Sequence, residues 1–318
     1  MRMTRWVLVG LIGLLVAGCA SPTPTVVPTH TFAPTIIPTL GQAQSTAPPP
    51  TLTAVPTSTP PVPTATPVEA PGGIIITILY DNNEYDERLE TAWGFSCLVE
   101  LPPASGGPGG VEKTILFDTG GDSAMLLRNM RTLGIDPQDV DVIVISHIHY
   151  DHVGGLAGFL EENHAVTVYL PECLPESIKE TVRKAGAELI EVHEPVQICE
   201  HVYSTGELGD LIREQSLVIE TARGLVVITG CAHPGVVNVV REAKNLLDGD
   251  VLMVVGGFHL CWMNLLQVRS IVEGVKEEGV ERVAPCHCSG DLARSTFEKV
   301  YREDFILVGV GSRLEVQD

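Results

Sequence analysis

The chain has 318 residues, with 20 Lys and Arg set against 40 Asp and Glu, a formal charge of −20 at neutral pH. So acidic a surface repels polyanions, which argues against a nucleic acid partner and against a nuclease. A small anionic substrate stays compatible, because a bound cation would dominate its local field.

Arg2 and Arg5 precede an apolar run from Trp6 to Ala17, too short for a comfortable membrane span and right for the core of a signal peptide. The run ends Leu15, Val16, Ala17, Gly18, Cys19, which resembles the bacterial lipobox. Residues 1–18 are therefore expected to be a lipoprotein signal peptide. Lipid on Cys19 would then anchor the mature protein outside the cytoplasm, touching the membrane through that lipid alone. An uncleaved signal anchor is the alternative. Residues 19–72 form a second segment dominated by Pro and Thr, without Lys, Arg, Asp or Glu until Glu69. Its few large apolar groups cannot offset ordering entropy, so it is expected to be a disordered linker extended by its prolines.

Residues 73–318 remain, long enough for one large domain. Without Arg2 and Arg5 the mature chain keeps 18 basic against 40 acidic side chains, a balance of −22. Apolar runs predict strands at Ile74–Tyr80, Phe95–Leu101 and Thr114–Phe117, with a Pro- and Gly-rich loop from Pro102 to Gly110. A helix over Ser123–Leu133 precedes a buried strand, Val140–Ile145. A helix near Leu156, a strand Val166–Leu170 and a helix Glu176–Ala185 follow. The second half repeats the style. It reads as a hairpin of Leu217–Thr221 and Leu225–Thr229, a helix Val236–Leu247, a strand Val251–Val255, a helix Leu265–Val275 and a short strand before Pro285. A last helix and a strand Phe305–Val310 close the chain. Two such halves imply an α/β protein with two sheets face to face and helices outside. The stretches Asp81–Thr91 and Tyr203–Gln215 read as substrate loops.

The most informative segment is His147, Ile148, His149, Tyr150, Asp151, His152, which follows the buried strand and precedes Gly154 and Gly155. Residues two apart on an extended backbone point the same way, so His147 and His149 can face one metal ion. Asp151 and His152 fall on the turn into the next helix and can reach a second ion nearby. His30, His164, His193 and His201 stand alone and read as ordinary surface or core residues.

This H-x-H-x-D-H segment, preceded by Leu116, Phe117, Asp118, Thr119, Gly120, resembles the signature of the metallo-β-lactamase superfamily. The resemblance implies the metallo-β-lactamase fold, a four-layer αβ/βα sandwich. Three later segments, TGCAHPG with His233, GGFHL with His259 and PCHCSG with His287, resemble a branch named after a dihydropterin ribofuranosyl-aminobenzene phosphate synthase. Carried over by position, His147, His149 and His233 would hold the first ion, and Asp151, His152 and His287 the second. Asp118 would orient a histidine by a hydrogen bond rather than touch metal.

One departure matters. Many binuclear relatives place an aspartate between the ions at the end of a strand, whereas the comparable strands here end Gly230, Cys231, Ala232, His233 and Gly256, Gly257, Phe258, His259. Either His233 or His259 takes that part, or the second ion binds weakly and the resting centre is mononuclear. Without Cys19 seven cysteines remain. A closed disulfide framework is not the natural reading of an odd number, though a single bridge such as Cys173 to Cys199 stays open. Cys286 and Cys288 flank His287 and are expected to point away from its face into packing.

Neutral imidazoles with a carboxylate suit one or two divalent ions, zinc first, with iron or manganese as alternatives. The expected activity is hydrolysis of a small-molecule ester, thioester, lactone or phosphoester by metal-bound hydroxide. Asp151 and His259 are the candidate catalytic residues, Asp151 as the proton carrier. The branch name implies an alternative, a condensing enzyme joining a pterin to an arylamine. A third reading is a non-catalytic metal- or ligand-binding surface lipoprotein.

Overall fold

A computed structural model describes residues 73–102 and 113–317. The expected signal peptide, Cys19, the whole linker and most of the Pro102–Gly110 loop lie outside the described residues. The first sheet collects β1 (Ile74–Tyr80), β2 (Ser96–Leu101), β3 (Lys113–Phe117), β4 (Val142–Val144), β5 (Thr167–Pro171) and β6 (Glu188–Val192). The second holds β7 (Val196–Cys199), β8 (Val202–Ser204), β9 (Leu217–Thr221), β10 (Gly224–Thr229), β11 (Val251–Gly257) and β12 (Arg282–Cys286). The last strand, β13 (Arg313–Val316), returns to pair antiparallel with β1. The orders are β13-β1-β2-β3-β4-β5-β6 and β12-β11-β10-β9-β8-β7. β3 to β6 run parallel, as do β10 to β12.

Strand alternation builds the layers. Ile115 and Phe117 of β3 enter the core between the sheets with Val226 and Ile228 of β10 and Val255 of β11. Their neighbours Leu116 and Ile143 turn outward to Leu126, Met130 and Phe159, carried by α1 (Ser123–Leu133) and α3 (Leu156–Glu162). The single turn α2 (Tyr150–Val153) precedes α3, and α4 (Glu176–Ala185) completes that outer layer through Val182. On the opposite side Val227 and Val254 meet Val240 of α5 (Val236–Leu247), Val272 of α6 (Leu265–Glu277) and Phe297 of α7 (Gly290–Tyr301). The four-layer sandwich follows from two strand faces per sheet, both apolar. α1 has the ends its sequence calls for: Asp122 accepts a hydrogen bond from the Met125 N–H at 2.7 Å, and Gly134 closes it with a left-handed φ of 76°.

The expected strand Phe305–Val310 is not formed. Phe305 and Val310 make only isolated bridges, to Val283 and Glu84, and the closing strand lies later at Arg313–Val316. Within the run Val308 and Val310 are buried, whereas Leu307 is exposed. β6, β7 and β8 are short, the first two of them largely unburied, and without strong alternation they have no clear signal in the sequence.

Candidate metal centre

Every candidate residue lies just beyond the carboxyl end of a strand, at one edge of the sandwich. Asp118 follows β3, His147 and His149 follow β4, His233 follows β10, His259 follows β11 and His287 follows β12. This is where parallel strands leave a crevice. Chain reversal there demands unusual backbone. Among the described residues seven non-glycines have positive φ, and four of them, Asp118, Ala232, His259 and His287, are at this edge. Such strain persists where surrounding contacts impose it, and it concentrates at functional sites.

His147 and His149 do not belong to β4, which stops at Val144; they stand in the extended segment after it, with ring centroids 4.7 Å apart. Nε2 of His147 is 3.0 Å from Nδ1 of His149, and Nε2 of His233 is 3.1 Å from that same atom. The three nitrogens can hold a metal ion together. Asp151 and His152 sit on α2, and His287 arrives from the far end of the chain with Nε2 3.3 Å from Asp151 Oδ2. These form a second triad able to hold an ion. His147, His152 and His287 are buried, whereas His149, Asp151 and His233 reach partly to the surface.

Buried hydrogen bonds decide which ring nitrogens face inward. Asp118 Oδ1 accepts from the Ser146 N–H at 2.7 Å, and Oδ2 accepts from Ser146 Oγ and from His152 Nδ1, both at 2.7 Å. Ser146 Oγ in turn lies 2.8 Å from His147 Nδ1, so that ring donates to the hydroxyl and turns Nε2 to the site. His287 Nδ1 is 3.0 Å from Asn82 Oδ1, which leaves its Nε2 buried without a hydrogen-bond partner. Lone pairs aimed at a common point fit a divalent cation.

Two further buried carboxylates complete the scaffold, and sequence reasoning missed both. Glu214 accepts from the backbone N–H groups of Cys231, Ala232 and His233 at 2.8, 2.9 and 2.9 Å, and from Thr229 Oγ1 at 3.1 Å. Asp81 Oδ2 accepts from the His287 N–H at 3.0 Å. Both lie in the stretches expected to be substrate loops. The structure corrects that reading: these ends are inner braces, and Gln215 adds a bond from Nε2 to the Ile145 carbonyl at 2.8 Å. No motif marks them; their only signal is a lone acid beside apolar strands.

Electrostatics agree with neutral rings at His147, His149 and His233 beside an ionised Asp151. Burial, then repulsion from neighbouring histidines, lowers His147 well below its ordinary value and His233 to about 4; burial lowers His149 too. Burial opposes ionisation of Asp151, but the close approach of the His287 and His152 imidazoles outweighs it and holds its carboxyl below the usual range. A carboxylate so stabilised is a good ligand and a weak base, which favours metal binding over proton transfer for Asp151.

The expected direction of Cys288 is wrong. Its left-handed neighbour His287 swings the chain, and Cys288 Sγ lies 3.2 Å from Cys231 Sγ inside the centre, while Cys286 packs in the core as expected. His259 joins neither histidine triad but groups with these two thiols, its ring centroid 4.3 Å from that of His233. Cys173 and Cys199 are free, so the bridge left open by the sequence is not formed. His193 pairs with the buried carboxylate of Glu207 and the buried His201 with Glu220, while His164 is exposed.

Residues 109–252 match the family model of the metallo-beta-lactamase superfamily. The chain is 28% identical over 276 residues to the 7,8-dihydropterin-6-methyl-4-(beta-D-ribofuranosyl)-aminobenzene-5'-phosphate synthase of Methanocaldococcus jannaschii, covering 73% of this chain and 92% of that protein. An uncharacterised protein of the same organism is 30% identical over 274 residues, 74% of this chain and 98% of its own length. A crystal structure of a metal-dependent hydrolase of the beta-lactamase superfamily superimposes with a TM-score of 0.64 at 30% identity, covering 77% of this chain and all of the other.

Proposed function

This chain belongs to the metallo-beta-lactamase superfamily, and we propose that it is a metal-dependent hydrolase of a small-molecule ester, thioester, lactone or phosphoester. The observation that carries this reading is the convergence of His147, His149 and His233 beside Asp151, His152 and His287, each triad with its ligand atoms within 4.8 Å of one another. Zinc suits this donor set best, and iron or manganese are the alternatives. A bound divalent ion would polarise the scissile group and make a water acidic enough to attack at neutral pH.

The protein's own residues supply the rest. Ser146 and Asp118 hold the rings of His147 and His152 in one tautomer, and Asn82 does so for His287. Asp151, held ionised beside His152 and His287, would supply charge that balances a bound divalent ion. Trp93, half exposed with its ring 5.0 Å from that of His287, offers an apolar wall to the non-reacting part of a substrate. Anchorage outside the cytoplasm through lipid on Cys19 belongs to the same proposal; metabolic labelling with palmitate, lost in Cys19→Ala, tests it.

The decisive experiment pairs elemental analysis with a panel of ester, thioester, lactone and phosphodiester substrates. The double variant Asp151→Ala, His152→Ala should lose turnover and retain the fold by circular dichroism. Unchanged turnover refutes hydrolysis at this centre. A condensing activity is the second reading, favoured by the identity to the synthase across nearly all of its length. Product formation from a pterin pyrophosphate and an arylamine would establish it.

A further inference from the structure

Beyond the ends of β10 and β12 this centre holds sulfur. Cys231 Sγ is 3.2 Å from Cys288 Sγ and 3.3 Å from His152 Nε2. Both cysteines are buried. The backbone N–H of His259 donates to Cys288 Sγ at 3.3 Å, and Nδ1 of His259 is buried without a hydrogen-bond partner. Ligand atoms of Cys231, His259 and Cys288 all lie within 4.8 Å of one another, and Cys231 also falls within such a distance of His147 and His152.

A buried free cysteine ordinarily packs as a small apolar side chain. Cys97 and Cys286 do so here, in the core between the sheets. Cys231 and Cys288 instead face each other and imidazole nitrogens. The sulfurs are too far apart for a disulfide bond of about 2.05 Å. Two soft donors and an imidazole with its ring nitrogen unpartnered match a thiophilic ion better than they match packing.

We propose that Cys231, Cys288 and His259 form a thiolate-rich position for zinc or cobalt(II), fused to the histidine centre through the sulfur of Cys231. This extends the metal-centre reading by a third ligand set and leaves the two triads as described. Each thiol that becomes a ligand releases its proton to solvent, and no oxidant or reductant is involved. His259 thereby becomes a metal ligand rather than a substrate contact.

The test loads the metal-free full chain with cobalt(II) under anaerobic conditions. The expected result is a thiolate-to-cobalt charge-transfer band, lost in Cys231→Ser and in Cys288→Ser together with one bound ion per chain. Cys173→Ser, at an exposed thiol, should keep both. X-ray absorption at the zinc edge of the unmutated protein decides the matter even if a variant fails to fold. Sulfur scatterers at about 2.3 Å support the proposal. Cobalt or zinc bound with nitrogen and oxygen scatterers alone overturns it while leaving the histidine centre intact. A chain that binds no metal overturns both.

Discussion

Asp118 Oδ2 and His152 Nδ1 are 2.7 Å apart with both side chains wholly buried. The same carboxylate reaches His147 through Ser146, so one acid on the loop after β3 orients two rings that belong to different ligand triads.

Asp118→Ala should therefore weaken metal binding at both positions, by about 10–100-fold each, the usual effect of losing a group that orients a ligand. Asn82→Ala, which releases His287 alone, should weaken only one. Competition against a chromophoric chelator measures both. Equal two-site losses in the two variants would contradict the arrangement.

Glu214→Gln tests the brace beneath Cys231, Ala232 and His233. The new amide would direct a donor at backbone donors, so stability should fall by about 2–3 kcal/mol, read as a lower urea midpoint at unchanged slope. An unshifted midpoint would mean that the N–H groups find other acceptors.

Acid should destabilise the metal-free protein before its ordinary carboxylates titrate. His147, His149 and His233 are held below 6.5 by burial, His233 to about 4. Between about 6.5 and 4 the unfolded chain therefore binds protons that the folded chain refuses. Stability is full above 6.5 and declines as pH falls through that window. His152, raised by Asp118 against the effect of its burial, works the other way, its contribution fading as pH rises past its own value. Melting temperatures in chelator from pH 7 to 4 should fall steadily. A flat profile would show that the three rings are not held neutral.

Gly230→Ala probes the space between the sheets at the site. An added methyl would collide with Ser146 Oγ and Asp118 Oδ2, so the variant should lose about 1–3 kcal/mol and bind metal more weakly. Native-like stability and metal affinity would show that the loop shifts freely.

Much of this protein was written locally. Binary patterning set Ile74–Tyr80, Ser123–Leu133, Glu176–Ala185 and Val236–Leu247, whose bounds match the structure, because period 2 or 3.6 needs only neighbouring residues. The spacing of His147, His149, Asp151 and His152 likewise announced metal chemistry, since four potential ligands within six residues have little other use. Where the remaining partners stand was not local. Asp81 meets His287 across 206 positions of chain, and Glu214 looks in sequence like any solvated loop acid. Burial alone makes each a brace, and burial is a property of two sheets closing on one another. The inward turn of Cys288 is of the same kind: extended geometry sends it outward, and only the left-handed backbone at His287, imposed by packing around β12, brings its sulfur beside Cys231.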